Sequence, residues 1–341
     1  MSNLAIVIPA YKEQYFEKAL LSLSNQSRKD FTVYVGDDFS PFDLKSIVDR
    51  FDHTLDIQYT RFDNNIGAKN LVHQWKRCIG LTKEEEWLWL FADDDIVDKD
   101  CVENFYLTQQ RTENNFDVYR FNTTRIDGNG ILIDETPLGP VEESSEEMAY
   151  NLLLGRRGNS MGDHIFSRKV YNKCGGFVFT DYAQGADWAT SILFTKQKGI
   201  CIIPNARFYW RVSGINISSS AYQIRNKTLV GHLQFIRWIA NHFEYLKASS
   251  TRVSYTMILE AAKANLIAVL IEHYKGFELN SMFKIAELMH DKLQMSYIGS
   301  FRQLIKVKKA TDPRFGKSVS RIVTIKDLLI SKLRKWKSLS Y

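Results

Sequence analysis

The chain has few of the features that mark secreted, membrane-spanning or zinc-binding proteins. Its four cysteines are scattered without a C-x-x-C pair, which argues against disulfides and favours a reducing compartment. The longest apolar runs, such as 266–271, are far shorter than the roughly 20 residues that cross a bilayer. The seven histidines form no pair at ligand spacing, which disfavours zinc. We therefore expect a cytoplasmic protein without a signal peptide or a transmembrane helix.

Positive charge is concentrated near the carboxyl terminus. Residues 301–341 hold twelve Lys and Arg against two Asp and Glu, a net charge of +10, so the first 300 residues carry −4 within the total of +6. Such a tail favours an anionic surface, and the lack of a uniform basic footprint disfavours nucleic acid as a partner. The segment 321–337 predicts an amphipathic basic helix. It would either dock peripherally on the inner face of the cell membrane or pack on the protein itself.

The periodicity of apolar residues predicts an α/β fold followed by helices. The first 120 residues alternate short apolar runs with segments of helical period, as in a mostly parallel sheet. Strands are predicted at 4–8, 31–36, 56–62 and 87–91. We expect an α/β domain over 1–221, with halves at 1–120 and 121–221, and a helical region over 222–341.

Three consecutive carboxylates follow the strand predicted at 87–91. The like charges of Asp93, Asp94 and Asp95 repel one another unless a cation lies among them. Carboxylate oxygens suit Mg²⁺ or Mn²⁺, which keep coordination sites open for diphosphate oxygens. The alternative is a solvated turn or the N-cap of a helix that begins near Lys99. Because ligands of open α/β sheets bind beyond the carboxyl ends of the strands, we expect this cluster to share one rim with the residues that follow the other strands.

Five motifs occur in an order and at spacings similar to the signature blocks of one family. They are Ile6-Val-Ile-Pro-Ala-Tyr-Lys-Glu13, Val35-Gly-Asp-Asp-Phe-Ser40, Asn65-Ile-Gly-Ala-Lys-Asn70, Phe91-Ala-Asp-Asp-Asp-Ile96 and Gly185-Ala-Asp-Trp188. Over about residues 4–220 the chain resembles family 2 glycosyltransferases. The resemblance implies a Rossmann-like GT-A fold with helices on both faces of the sheet, a UDP-sugar donor, a divalent metal and inversion at the anomeric carbon. It also implies a glycan or lipid-linked acceptor in the synthesis of a capsule or lipopolysaccharide.

The first two motifs would bind the nucleoside of the donor. Pro9 and Tyr11 end the first strand where the base would stack, and Glu13 lies at a helix start that favours a carboxylate. An ordinary strand-to-helix turn is the alternative. Asp37 and Asp38 would accept the ring N–H of a uracil, or else form an Asx-turn. Phe39 stands where the family usually has glycine.

The next two motifs would bind phosphate and metal. The third motif is expected to start a helix at Asn65. Lys69, where the family often has arginine, would contact a phosphate there but could not bind it through two parallel hydrogen bonds as arginine does, or it would simply be solvated. The resemblance implies that Asp95 ligates the metal and that Asp93 contacts the ribose or a metal-bound water, with Asp94 as a further donor-binding residue. Ala92 leaves the alignment of this motif ambiguous by one position.

Two residues in the second half complete the predicted site. An inverting transfer needs a general base for the acceptor hydroxyl, and Asp187 matches the aspartate of the family's Glu-Asp block, where Ala186 replaces the glutamate. A helix cap is the alternative reading of Asp187. Arg211 lies in 209–218, which resembles a flexible loop that closes over the diphosphate. A mobile surface loop without a catalytic role is equally consistent with that segment.

Two other functions compete with sugar transfer. A nucleotidyltransferase acting on sugar phosphates also combines an α/β sheet with acidic metal ligands, but the first strand lacks a following Gly-rich loop that bears Lys or Arg. An inactive glycan-assembly scaffold is consistent with Phe39, Ala92 and Ala186, and it predicts that nucleotide binds without transfer.

Overall fold

The structure is a computed structural model that describes residues 3–214, 225–312 and 315. The chain divides into two compact units, residues 1–265 and 266–341. The predicted boundary between residues 221 and 222 lies outside the described residues, as does the predicted helix at 321–337. The predicted domain boundaries therefore stay predictions.

The first unit is built on one mixed sheet. Its strands are β1 (Leu4–Ala10), β2 (Phe31–Asp37), β3 (Ile57–Arg61), β4 (Trp87–Leu90), β5 (Ile96–Val97), β6 (Val118–Asp127), β7 (Leu132–Glu135), β8 (Glu142–Glu143), β9 (His164–Ser167) and β10 (Ile200–Val212). The order across the sheet is β3-β2-β1-β4-β9-β6-β10-β5, with β7 paired to β6 and β8 to β10. The four predicted strands of the first half are β1 to β4, and they run parallel to one another.

Burial on both faces explains why these first strands form a parallel sheet. Every residue of β2 is buried, and so is every residue of β1 except Pro9, because the crossover segments cover the sheet. In the register of β1 and β2, Ala10 lies opposite Asp37, and in that of β1 and β4, Val7 lies opposite Leu90. The carboxyl ends of the three strands therefore meet at one edge.

Helices connect and extend the sheet. Those of the first half are α1 (Phe16–Ser24), α2 (Leu44–Asp49), α3 (Leu71–Ile79) and α4 (Cys101–Arg111). Those of the second half are α5 (Ser145–Leu153), α6 (Arg168–Lys173) and α7 (Ala186–Thr195). The chain continues with α8 (Arg225–His242), α9 (Tyr255–Glu272), α10 (Leu279–Asp291) and α11 (Tyr297–Thr311). In α1, Phe16, Ala19, Leu20 and Leu23 are buried at helical spacing, which is how the sequence specifies this helix.

Two local expectations are corrected. Residues 209–212 belong to β10 and are not part of a loop, because they pair in parallel with β6 over Tyr209 to Val212. Residues 215–218 of the same predicted loop lie outside the described residues. The helix expected from Asn65 begins only at Leu71, because the side chain of Asn70 accepts the N–H of His73 and caps the helix there.

The described part of the chain contains no helix that is both long and apolar enough to cross a membrane.

Candidate active site

A cavity of about 1130 Å³ opens at the edge where the carboxyl ends of β1 and β4 meet. Segments 9–12 and 90–95 line it on the side of the first half. Segments 134–137, 155–162 and 182–188 line it on the side of the second half. The topology of the sheet thus brings residues from both halves of the predicted domain to one space.

Seven of the eleven residues predicted from sequence line this cavity. They are Pro9, Tyr11, Asp38, Asp93, Asp94, Asp95 and Asp187. The side chain of Tyr11 is 42% exposed, as a stacking residue needs to be. The other four, Glu13, Asp37, Lys69 and Arg211, are not among the lining residues, and Glu13 and Lys69 point to solvent.

Asp93 joins the first and fourth strands at the cavity. Its Oδ2 atom accepts hydrogen bonds from the backbone N–H groups of Tyr11 at 2.9 Å and Lys12 at 2.8 Å. Its Oδ1 atom lies 3.1 Å from Nζ of Lys12, which also donates to Asp94. The expected shared rim is thereby confirmed, since the end of β1 and the cluster after β4 are in direct contact.

Arg211 holds the other end of the carboxylate cluster. Its backbone N–H donates to Oδ1 of Asp95 at 2.9 Å, and its Nε donates to the carbonyl of Asp94 at 2.7 Å. Its Nη1 donates to the carbonyls of Asp127 and Gly128. Arg211 is 1% exposed, so the structure gives it contacts that position Asp94 and Asp95. Donor binding by Arg211 stays a prediction and gains no support from this geometry.

The carboxylate cluster is short of positive charge. Burial, together with the charge of Asp93, raises the pKa of Asp94. Burial, together with the charge of Asp94, raises the pKa of Asp95 well above its ordinary value. In both cases burial and the neighbouring carboxylate outweigh the opposing positive charge of Lys12.

The two aspartates after β2 differ in their surroundings. Asp37 is fully buried, and its oxygens accept from the backbone N–H of Ser40 at 2.7 Å, from Arg61 at 2.7 Å and from the hydroxyl of Tyr59. The bond from Ser40 spans three residues and fixes the loop that follows β2. Phe39 has a φ of +56°, the left-handed region that glycine favours, which explains why the family has glycine at this position.

Asp38 organises the third motif. It accepts from the backbone N–H groups of Ile66 at 2.9 Å and Gly67 at 2.8 Å and pairs with Arg77. A side chain at Gly67 would place its Cβ 2.5 Å from Oδ2 of Asp38, so only glycine allows this approach. The loop before α3 is therefore fixed against the end of β2.

Asp187 lies across the cavity from the first half, in the first turn of α7. Burial raises the pKa of Asp187 to about 7, with a further contribution from the charge of Asp163 and an opposing one from the backbone N–H of Trp188. Gly185 precedes the helix with a φ of +72°. A carboxylate whose pKa is near neutral is suited to accept a proton at physiological pH.

Asp163 is a buried charge behind this part of the cavity. Burial alone would raise its pKa, but the charges of Arg120 and His164 and a hydrogen bond from Thr123 hold the pKa well below its usual range. The Thr123 hydroxyl donates at 2.8 Å and Nε of Arg120 at 3.2 Å. Asp163 therefore stays ionised, and its fixed charge disfavours ionisation of Asp187.

Sequence reasoning missed three charged residues of the site. Lys12 stands inside the first motif, and its position beside Tyr11 at the end of a strand was the available signal. Arg77, in the last turn of α3, pairs with Asp38, and no local sequence pattern indicates this contact. Arg157 lines the cavity and pairs with Glu143, a contact that only the fold creates.

The carboxylate oxygens at the cavity suit a hard divalent metal ion. Three buried carboxylates lie at the cavity, and oxygen ligands of this kind favour Mg²⁺ or Mn²⁺. Among the described residues, no three His, Cys, Asp or Glu side chains form a group that holds a metal by themselves. One or two carboxylates are enough for Mg²⁺ when substrate phosphates supply the other ligands.

The fold and the cavity define a class of protein. A mixed sheet whose parallel strands end in acidic residues on one side of a cleft, with a carboxylate of raised pKa on the other side, is typical of a transferase with the GT-A fold. The chain belongs to glycosyl transferase family 2, whose family model matches residues 5–177, just over half of the chain. The protein is therefore a glycosyltransferase, as the motifs predicted.

Two relatives of known function are similar in sequence. GalNAc(5)-diNAcBac-PP-undecaprenol beta-1,3-glucosyltransferase of Campylobacter jejuni is 23% identical over 255 residues, 72% of this chain and 77% of that protein. Poly(ribitol-phosphate) beta-N-acetylglucosaminyltransferase TarS of Staphylococcus aureus is 22% identical over 312 residues, 89% of this chain. The alignment covers 50% of TarS, so this chain spans about half the length of that relative.

A solved structure supports the fold. The crystal structure of S. aureus TarS 1–349 in complex with UDP-GlcNAc matches with a TM-score of 0.67 at 14% identity, over 93% of this chain and 92% of that one. At this identity the likeness shows the fold alone. The predicted GT-A fold with helices at its carboxyl-terminal end is confirmed.

Proposed function

We propose that this glycosyltransferase moves a sugar from a UDP-sugar to a hydroxyl of a glycan or lipid-linked acceptor in cell-surface glycan synthesis. The transfer depends on Mg²⁺ or Mn²⁺ and inverts the anomeric carbon. The observation that carries the proposal is the single cavity that has the Asp93–Asp95 cluster on one wall and Asp187 on the other. A donor diphosphate and an acceptor hydroxyl need such facing groups.

The roles of the residues follow from their positions. Asp95 and Asp93 would hold the metal, which, when bound, offsets charge on the leaving diphosphate. Pro9 and Tyr11 border the base, and Asp38 fixes the loop at Gly67 beside the donor. Roles for Glu13, Asp37 and Lys69 remain predictions from the motifs alone.

Asp187 is the general base that accepts the proton of the acceptor hydroxyl. The acceptor oxygen forms a bond to the anomeric carbon while the bond from that carbon to the diphosphate oxygen breaks, and UDP leaves. The proton of the acceptor hydroxyl passes to the Asp187 carboxylate, whose pKa of about 7 makes it a stronger base than an ordinary aspartate. Because the acceptor attacks from the side of Asp187, opposite the diphosphate, the product is inverted.

The relatives support the choice of substrates. The structure of TarS has been solved in complex with UDP-GlcNAc, and the name of TarS gives a polymer, poly(ribitol-phosphate), as its acceptor. The Campylobacter relative is named for an undecaprenol-linked acceptor. We therefore place UDP-sugars and lipid-linked or polymeric glycans first among the candidates. Membership of family 2 argues against the nucleotidyltransferase alternative.

A calorimetric titration tests the proposal. UDP, GDP and CDP are titrated with Mn²⁺ and again with EDTA, and we expect binding of UDP that requires the metal. A UDP-sugar screen with NMR of the product then reports transfer and the configuration of the new linkage. Binding without any transfer would favour the scaffold, and no binding of any nucleotide would refute the proposed donor site.

A further inference from the structure

Lys12 occupies the carboxylate cluster with its own positive charge. Its Nζ atom lies 3.1 Å from Oδ1 of Asp93 and also donates to Oδ2 of Asp94. The other oxygen of Asp93 already accepts two backbone N–H groups. Both oxygens of Asp93 are therefore engaged by the segment Tyr11–Lys12 that follows β1.

The charge of Lys12 only partly compensates the cluster. Asp93, Asp94 and Asp95 together carry up to three negative charges, and each is at most 4% exposed. The Lys12 ammonium and the guanidinium of Arg211, whose Nε donates to the Asp94 carbonyl, would still leave three ionised carboxylates net negative, which would repel a donor diphosphate. A divalent ion is still needed before the diphosphate can approach.

Lys12, unlike Arg211, is free to leave the cluster. Arg211 is 1% exposed and donates to three backbone carbonyls. The Lys12 side chain is 22% exposed, lines the cavity and is held by side-chain ion pairs on a flexible stem. A cation that enters from the cavity therefore meets Lys12 first.

We propose that Lys12 is a resident counter-ion that a divalent metal must displace, so that metal binding at the Asp93–Asp95 cluster competes with the Lys12 ion pairs. This inference rests on the proposed metal site. A metal ion bound at about 2.1 Å from Oδ1 of Asp93 could not share that oxygen with an ammonium, because two cations would then lie within a few ångströms. Lys12 thus sets the metal affinity without being a ligand.

The test measures Mn²⁺ binding directly, in the absence of nucleotide. Free Mn²⁺ gives an electron paramagnetic resonance signal that is lost on binding, so a titration gives the dissociation constant. We expect Lys12→Gln to bind Mn²⁺ roughly 5- to 150-fold more tightly than wild type, the range of typical coupling between linked events. Lys12→Arg keeps the charge and should stay near wild type.

Lys198→Gln is the matched control. Lys198 also pairs with an aspartate at 3.2 Å, Asp117, and neither residue lines the cavity. This control removes one positive charge and should leave the Mn²⁺ affinity unchanged. Adding Asp95→Asn to Lys12→Gln should abolish the tight binding, which shows that the metal is at the cluster.

The outcomes separate this inference from the proposed function. If wild type binds UDP with Mn²⁺ but Lys12→Gln binds Mn²⁺ no more tightly, the Lys12 inference is wrong and the donor site stands. If neither protein binds Mn²⁺ even with UDP present, the metal site fails and the inference fails with it. Should Lys12→Gln melt well below wild type, Lys12→Met, which keeps the aliphatic stem, makes the same comparison.

Discussion

Asp187 illustrates how surroundings suit an ordinary side chain to the role of base that we propose for it. Burial and the fixed charge of Asp163 raise its pKa to about 7. The same shift has a cost in stability. The Asp187 carboxyl loses its proton near pH 4 in the unfolded chain and near pH 7 in the folded chain. Between pH 4 and pH 7 the unfolded chain therefore binds fewer protons, and the free energy of unfolding falls as the pH rises.

Replacement of Asp187 by Asn should separate catalysis from stability. We expect Asp187→Asn to keep metal-dependent UDP binding and to lower kcat by roughly 10²- to 10⁴-fold, the usual contribution of a general base. Because Asn carries no charge that these surroundings disfavour, the Tm at pH 7.5 should equal or exceed that of wild type. Steady-state kinetics, calorimetry and thermal melts measure the three quantities. Equal turnover in both proteins would remove Asp187 from the mechanism.

The pH dependence follows from the same raised pKa. A base acts in its deprotonated form, so below pH 7 the active fraction should fall about tenfold per pH unit. An aspartate of ordinary pKa would keep full activity down to about pH 5. The measurement is kcat/KM of wild type from pH 5 to 9 at saturating Mn²⁺. A flat profile between pH 5 and 7 would contradict the assignment of Asp187.

Asp95 should decide metal-dependent donor binding. Loss of groups that only support a metal ligand costs about 10- to 100-fold, so we expect Asp95→Ala to weaken UDP binding with Mn²⁺ by at least about 100-fold. The control is Asp100→Ala. It makes the same substitution five residues further along the chain, at a residue that does not line the cavity. Calorimetry with Mn²⁺ and with EDTA measures both. Unchanged binding in Asp95→Ala would exclude this residue as a ligand.

At the scale of elements, the start of α7 sets the position of Asp187. Gly185 has a φ of +72°, and a Cβ there would lie 2.6 Å from Cγ of Phe235. Any side chain at Gly185 must therefore shift the first turn of the helix or the Phe235 ring. Because Asp187 is in that turn, the backbone and the base move together.

A comparison of Gly185→Ala with Gly175→Ala isolates the effect of the contact with Phe235. Gly175 has a similar φ of +76°, but a Cβ there meets nothing within 4 Å. Both substitutions should cost about 1–2 kcal/mol through backbone strain, and overpacking should add about 1–3 kcal/mol only in Gly185→Ala. Urea unfolding measures the free energies, and kcat should fall only in Gly185→Ala. Equal losses in the two variants would exclude the contact with Phe235 as the cause.

The strand β10 shows where local reasoning fails for an element. Residues 209–218 were expected to form a loop, yet Tyr209 to Val212 continue a strand of 13 residues. They do so because they pair with β6, some 85 residues earlier in the chain. That pairing places Arg211 against Asp94 and Asp95, so an expected loop cation is a buried residue that positions the cluster.

At the scale of the whole molecule, charge is separated along the chain. The net charge of +10 in 301–341 is a property of the sequence, and membrane docking through 321–337 stays a prediction. It would bring the catalytic cavity to a lipid-linked acceptor, since juxtamembrane basic residues are attracted by anionic lipids.

Vesicle sedimentation tests this docking. We expect full-length protein to bind vesicles that contain phosphatidylglycerol and not pure phosphatidylcholine, and to dissociate at high salt. Replacing Lys332, Arg334, Lys335 and Lys337 by Gln should lose most of the binding, at about 1 kcal/mol per charge. The control is a variant with the same change in charge, in which Gln replaces Lys45, Lys198, Lys247 and Lys263. Equal binding of both variants would favour a tail that packs on the protein.

The sequence alone determined the elements and the motifs. Apolar periodicity located β1 to β4 and the helical character of the last part of the chain, because burial is set by which residues are apolar and how they are spaced. The position of acidic residues after those strands placed the rim of the cavity, because parallel strands end on the same side. Family motifs then singled out Asp187 as the candidate base, although its local pattern by itself is more typical of a helix cap.

Only the tertiary structure decided which charges meet. Lys12 pairs with Asp93 and Asp94 from more than 80 residues away, and Arg211 reaches Asp95 across 116 residues. The buried Asp163 likewise acts on Asp187 only because the segment before β9 and the start of α7 come together at one cavity. Such contacts depend on strand order and packing, which periodicity does not encode. The fold therefore determines the counter-charges and the pKa values of residues that the sequence could only name.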